Sequence, residues 1–213
     1  MAETVVIAVD GPAASGKGTL ARRIAAELGY AYLDTGLLYR AIGLALLRDG
    51  KDPADADSAA AHAVAFDVAT TDFDDPALRD EETGRAAGIV AANSHVKEAL
   101  VEVQRRFAAA PPSGAPGAVL DGRDIGTVIC PEADHKIFVD ADIQVRAERR
   151  VKELQDRGVE SIPSRVLQDM KERDERDRTR SVAPLAPAAD ASVIDTTNLN
   201  ADAAFAEAMS IIR

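Results

Sequence analysis

Between Val5 and Leu28 the chain has very little freedom in what it can become. Val5-Val6-Ile7-Ala8-Val9 is a short apolar run with the length of a buried strand, and Asp10-Gly11-Pro12-Ala13-Ala14-Ser15-Gly16-Lys17-Gly18-Thr19 follows it directly. Leu20, Ile24 and Leu28 then recur every four residues, one stripe of a helix. Strand, glycine-rich loop and helix stand in the order of a phosphate cradle, or P-loop. In such a loop backbone N–H groups wrap phosphate oxygens and the positive end of the helix dipole faces them. The motif assigns Gly11 to Thr19 to the phosphates of a nucleoside triphosphate, Lys17 to the outer phosphates and Thr19 to Mg²⁺. The strict pattern has Ser or Thr immediately after the lysine, whereas Gly18 intervenes here. Lys-Gly-Thr leans towards small-molecule kinases and away from signalling GTPases, and the chain contains no Asn-Lys-x-Asp guanine-reading segment. The loop names a phosphate donor and leaves the acceptor open.

Further apolar segments punctuate the chain: Tyr30-Ala31-Tyr32-Leu33, Ala118-Val119-Leu120, Lys136-Ile137-Phe138-Val139 and Ala191-Ser192-Val193-Ile194. Helical spacing lies between them, in Leu38, Ile42 and Leu46, in Val96, Leu100, Val103 and Phe107, and in Ile143, Ala147, Val151 and Leu154. Five short strands alternating with helices predict an α/β fold, a five-stranded parallel sheet flanked by helices on both faces. Ligands gather at the carboxyl ends of such strands. Four of the strands end in polar clusters: Asp10-Gly11, Asp34-Thr35-Gly36, Asp121-Gly122-Arg123-Asp124 and Asp140-Ala141-Asp142. The Ala/Asp-rich stretch from about 50 to 84 holds little bulky apolar material and predicts a helix with one or two weak strands. It reads as a small subdomain, residues 50–95, inserted into a single domain spanning 1–213. Residues 149–165, with Gly158 and Pro163 as punctuation, read as a short lid.

Composition narrows the partners. A net charge of −11 excludes the broad basic surface that a nucleic-acid polymer needs, and 4% aromatic residues with no Trp leave few stacking platforms. No leader pattern is read at the N-terminus and no apolar run approaches a membrane span, so no membrane partner is expected. With Cys130 as the single cysteine there is no internal disulfide, which points to a soluble cytoplasmic protein. His62, His95 and His135 follow no catalytic spacing. The lack of an evident general base suits an acceptor that is already an anionic phosphate oxygen.

The segment Lys171 to Arg180 is dense in charge, and its bland reading is a solvated helix face. Yet Val166 and Met170 define an apolar stripe whose continuation selects Arg173, Asp177 and Arg180. Charges on an inward face need partners, here a phosphate and a ribose hydroxyl. Arg176 and Arg178 lie off that line, facing the triphosphate or solvent. Lys17, Arg173 and Arg176 are the candidates for neutralising a phosphoryl group in flight.

These segments, with Leu33-Asp34-Thr35-Gly36, Tyr39-Arg40, Asp121 to Val128, Ala183-Pro184-Leu185 and Ile194-Asp195-Thr196-Thr197, run over nearly the whole chain in the order of one family. The chain resembles the bacterial cytidylate kinases, of the nucleoside monophosphate kinase group. The resemblance implies Mg²⁺-dependent transfer from ATP to CMP and dCMP by a monomer. It also implies that Thr35, Arg40, Lys97, Arg123, Asp124, Arg173, Asp177 and Arg180 hold the acceptor, with Asp124 facing the cytosine amino group. A carboxylate accepts from that amino group and repels the oxygen of uracil. Two positions depart from the family, whose serine and arginine near the acceptor correspond here to Gly88 and Lys97. Lysine keeps the charge and loses the planar fork; Asn93 and Ser94 are the neighbours that could compensate. The alternatives are a kinase for UMP, shikimate or dephospho-coenzyme A, and a nucleotide sensor without transfer.

Overall fold

The structure, a computed structural model, describes residues 4–68, 70–180 and 183–213. These form two compact units, one made of the described residues up to Leu33 together with Ala110–Arg213, the other of Asp34–Ala109.

The first unit is built on five strands, β1 (Val5–Asp10), β2 (Ala31–Asp34), β3 (Gly117–Gly122), β4 (His135–Asp140) and β5 (Ser192–Asp195), in the spatial order β2-β3-β1-β4-β5. The pairings β1–β3, β1–β4 and β4–β5 are all parallel. All six residues of β3 and the last four of β1 are buried, as expected of central strands covered on both faces. Ile7, Val9, Val119, Ile137, Val139 and Ile194 project to one face. There they meet Leu20, Ala21 and Ile24 of α1 (Lys17–Leu28) and Ala208 and Met209 of α8 (Ala201–Ile212). The remaining two helices, α6 (Ile143–Asp156) and α7 (Pro163–Thr179), pack through Ala147, Val166 and Met170, with Ala13 and Ala14 of the glycine loop resting on the same cluster. Helix starts follow the sequence signals. Asp142 accepts from the Gln144 N–H before α6, Pro163 opens α7, and Asn200 accepts from the Asp202 and Ala203 N–H groups before α8.

The second unit is helical: α2 (Thr35–Arg48), α3 (Ala56–Ala65), α4 (Glu81–Val90), α5 (Ser94–Ala109) and a 3₁₀ turn at Pro76–Arg79. Helices α2 and α4 approach so closely that a Cβ on Gly43 would lie 3.0 Å from both Ala86 Cβ and the Ala87 nitrogen. The inner stripe of α5 is Val96, Leu100, Gln104 and Ala108, one step away from the expected Val103 and Phe107. The Gln104 amide, buried there, donates to the Leu100 carbonyl.

The weak strands expected between 50 and 84 are absent among the described residues, and Ala69 lies outside them. Aspartates explain the difference. Asp72 accepts from the Asp74 N–H group and Asp75 from that of Ala77. Each carboxylate closes a local turn and takes backbone donors that a strand ladder would need.

Candidate active site

The glycine loop leaves the carboxyl end of the central strand β1. Gly11 crosses β4 so tightly that a Cβ there would sit 2.1 Å from the Val139 carbonyl oxygen. Gly16, at φ +93°, precedes α1 and has no side chain to occupy the N–H groups of the first helical turn, which are left facing the loop. Lys17 Nζ lies 3.6 Å from Asp121 Oδ1 at the end of β3, and the Tyr32 hydroxyl donates to Asp121 Oδ2 at 3.2 Å. A Cβ on Gly18 would stand 3.0 Å from that same carboxylate oxygen. Glycine after the lysine therefore makes room for an acid beside the cradle. Thr19, one position on, is exposed.

The outer side of the loop is held by Arg146, which the sequence reading does not single out, and by Arg149 and Thr196, the one opening the expected lid segment and the other within the closing family segment. Arg146, on α6, is only 2% exposed. Its Nη2 donates to Asp174 Oδ2 at 2.5 Å, its Nη1 to Asp174 Oδ1 at 3.2 Å and to the Ala13 carbonyl at 3.3 Å, and its Nε to the Ala141 carbonyl at 2.8 Å. Arg149, three residues on, donates to the Thr196 carbonyl and hydroxyl at 2.6 and 3.0 Å and to the Ser15 carbonyl at 3.4 Å. The Thr196 hydroxyl itself donates to the Ser15 carbonyl at 2.8 Å.

Next to the loop, Asp10 accepts from the Ile125 and Gly126 N–H groups, each at 2.8 Å. These two donors open the single wide helical turn Ile125–Ile129, so Asp10 fixes the residue before it, the buried Asp124. Burial is the larger influence on Asp10 and pushes its carboxyl up to about 6, against the two N–H groups that pull it down.

Helix α7 supplies the charges. Its inward stripe is Val166, Met170, Asp174 and Asp177, so the stripe enters its polar part at Asp174 and Arg173 is exposed. The reason is geometric: steps of four from Val166 reach Asp174, whereas the expected stripe turned one residue early. Arg123 Nε donates to Asp177 Oδ2 at 3.2 Å, and Arg180 pairs with Asp177 Oδ1. Burial raises the Asp177 carboxyl, but the charges of Arg123, Arg180 and Arg173 together outweigh it and hold the group below the ordinary carboxylate value. Arg176 is exposed on the outer face of the same helix.

In the helical unit, Thr35 is buried at the start of α2. Arg40 Nη1 donates to the Leu78 carbonyl at 2.7 Å and to that of Asp80 at 3.3 Å. Gly88 and Lys97 lie half-buried on α4 and α5. Residues 149–165 comprise the last two turns of α6, a connection from Arg157 to Ile162 and the start of α7.

A parallel sheet in this strand order, with a glycine loop after its central strand and arginine–aspartate pairs at the same carboxyl edge, defines a P-loop kinase. The sequence model of the cytidylate kinase family matches residues 7–213, and the chain belongs to that family. A cytidylate kinase of Paramagnetospirillum magneticum is 59% identical over 212 residues, covering 98% of each chain. One from Rhodospirillum rubrum is 55% identical over 208 residues, covering 98% of this chain and 97% of its own. Among solved structures, a sugar kinase from a Janibacter species superposes with a TM-score of 0.52 at 15% identity, over 98% of this chain and 94% of the other, a likeness of fold alone. No helix among the described residues is long and apolar enough to cross a membrane.

Proposed function

We propose that the protein transfers the γ-phosphoryl group of ATP to CMP and dCMP, giving ADP with CDP or dCDP. The observation that carries this reading is the sheet edge of the first unit. The Gly11–Thr19 cradle and the Arg123–Asp177–Arg180 cluster open there on the carboxyl ends of the strands, in a chain of the cytidylate kinase family. An oxygen of the CMP phosphate attacks the γ-phosphorus in line, the bond to the β,γ-bridging oxygen breaks, and ADP leaves with that electron pair. The acceptor oxygen is already anionic, so the step needs positioning and charge neutralisation rather than a strong base.

Residues 11–19 hold the ATP phosphates in this reading, with Lys17 on the outer ones. Arg173 and Arg176 neutralise the transferring group. Thr35, Arg40 and Lys97 of the helical unit, with Arg123, Asp177 and Arg180, hold the acceptor. Asp124 accepts from the cytosine amino group. The 50–95 stretch is the acceptor subdomain and 149–165 the lid that excludes water. Mg²⁺ would be held by Thr19 or by Asp121, together with phosphate oxygens and water, and would supply neutralisation of the triphosphate charge. The donor set fits such an ion. One carboxylate stands beside Gly18, and the described residues contain no cluster of three acidic, His or Cys side chains that would form an all-protein site. The same reading takes the protein as a cytoplasmic monomer, in keeping with its single cysteine.

A coupled assay of ADP release over a panel of acceptors tests the proposal. CMP and dCMP are expected to turn over fastest. Turnover of UMP at an equal or higher rate overturns the cytosine assignment, and binding of CMP without diphosphate formation turns the protein into a sensor.

A further inference from the structure

Thr196 has no part in the transfer just described, yet it is buried at the foot of the donor loop. Its N–H donates to the Asp140 carbonyl at 2.8 Å, anchoring it to the end of β4. Its hydroxyl accepts from Arg149 Nη1 at 3.0 Å, so its own hydrogen turns to the Ser15 carbonyl at 2.8 Å, with the Asp140 carbonyl a weaker second acceptor at 3.1 Å. Arg149 adds a direct contact to the same Ser15 carbonyl at 3.4 Å.

The consequence lies on the other side of the peptide bond. In a trans peptide the C=O and N–H point in opposite directions, and none of the described peptide bonds is cis. Drawing the Ser15 carbonyl out towards β5 and α6 therefore aims the Gly16 N–H into the hollow of the loop. Arg146 does the same two peptides earlier: it holds the Ala13 carbonyl and so turns the Ala14 N–H inward. Left-handed backbone at Ala14 (φ +57°) and Gly16 (φ +93°) completes a concave run of donors of the kind that receives phosphate oxygens. All three holding groups sit on regular elements or at their immediate ends, which position more precisely than the loop itself.

We propose that Thr196, backed by Arg149, is a positioning residue of the donor site: it presets the Gly16 N–H for the triphosphate before ATP arrives. The inference rests on the reading of residues 11–19 as the ATP cradle. Without the hydroxyl, the Ser15 carbonyl keeps only the long Arg149 contact at 3.4 Å, and the phosphates must complete the ordering of the Ser15–Gly16 peptide on binding. The cost falls on ATP and spares CMP. A threonine serving only to fill the core would lower stability and leave the two nucleotides equally affected or unaffected.

Equilibrium binding of ATP alone and of CMP alone to the full chain tests this by calorimetry, with Thr196→Val, Thr196→Ser and Arg149→Lys. Thr196→Val is expected to weaken ATP about tenfold, the size of one lost buried hydrogen bond, while CMP affinity stays within about twofold. Thr196→Ser, which keeps the hydroxyl, is expected to restore ATP binding. An ATP affinity of Thr196→Val within about twofold of wild type, an equal loss for both nucleotides, or a serine variant as weak as valine overturns the proposal. If Thr196→Val does not fold, Arg149→Lys carries the test through its loss of the two-pronged hold on Thr196. That variant is expected to show a smaller loss confined to ATP, and unchanged ATP binding overturns the proposal. Failure of wild type itself to bind ATP instead overturns the donor assignment.

Discussion

Replacing Asp174 with leucine would leave the Arg146 guanidinium charged and 2% exposed, with only the Ala13 and Ala141 carbonyls to accept from it. Both carboxylate contacts, at 2.5 and 3.2 Å, would vanish, and nothing apolar can neutralise the charge they answered. Breaking one side of a buried, bidentate pair costs about 3–5 kcal/mol. At ~2–4 °C per kcal/mol for a chain of this size, the midpoint of thermal unfolding should fall by roughly 6–20 °C. The paired replacement Arg146→Met with Asp174→Leu removes both charges and keeps similar volume, so it should recover to within ~1 kcal/mol of wild type or exceed it. Urea denaturation followed by far-UV circular dichroism, run as a double-mutant cycle, measures both terms. A single replacement costing under ~1 kcal/mol would refute the reasoning, because it would mean that water already reaches the pair.

Gly11→Ala should abolish ATP binding and destabilise the sheet, since its Cβ would collide with a backbone carbonyl 2.1 Å away; ATP affinity within about twofold of wild type would contradict that. Asp10, with its carboxyl at about 6 in the folded chain against 3.8 ordinarily, takes up a proton on folding between those values. Its contribution is therefore full below about 3.8 and is lost, by as much as about 3 kcal/mol, as pH rises through about 6. Carboxyl-carbon NMR should show that midpoint, and a midpoint below about 4.5 would count against burial as the cause. Asp124→Ala should weaken CMP by about 1–3 kcal/mol while ATP changes less than twofold; equal losses would rule out contact with the base.

Much of the sheet could be read directly because its strands are short apolar runs closed by aspartates and glycines, and the helices between them repeat at 3.6 residues. Spacing alone does not choose between adjacent residues. On α7 it points to Arg173 for the inward position that Asp174 occupies, since 3.6 lies between steps of three and four and both residues are charged. The stretch from 50 to 84 reads as holding weak strands, but Asp72 and Asp75 bind the local backbone first. Arg146 gave no signal at all. An arginine in a helix rich in arginine and glutamate looks exposed, and its burial becomes visible only with Asp174, 28 residues away, beside it.

The local chemistry of the chain by itself determined the cradle. Gly11, Gly16 and Lys17 are contiguous, and the strand before them and the helix after them follow from periodicity within a few turns. What sets the peptides of that cradle came only with tertiary structure. Arg146, Arg149 and Thr196 reach the Ala13 and Ser15 carbonyls from positions more than 130 residues away. A hydrogen bond reports distance in space, and sequence separation carries no trace of it until the parallel sheet brings the ends of β1, β4 and β5 to one edge.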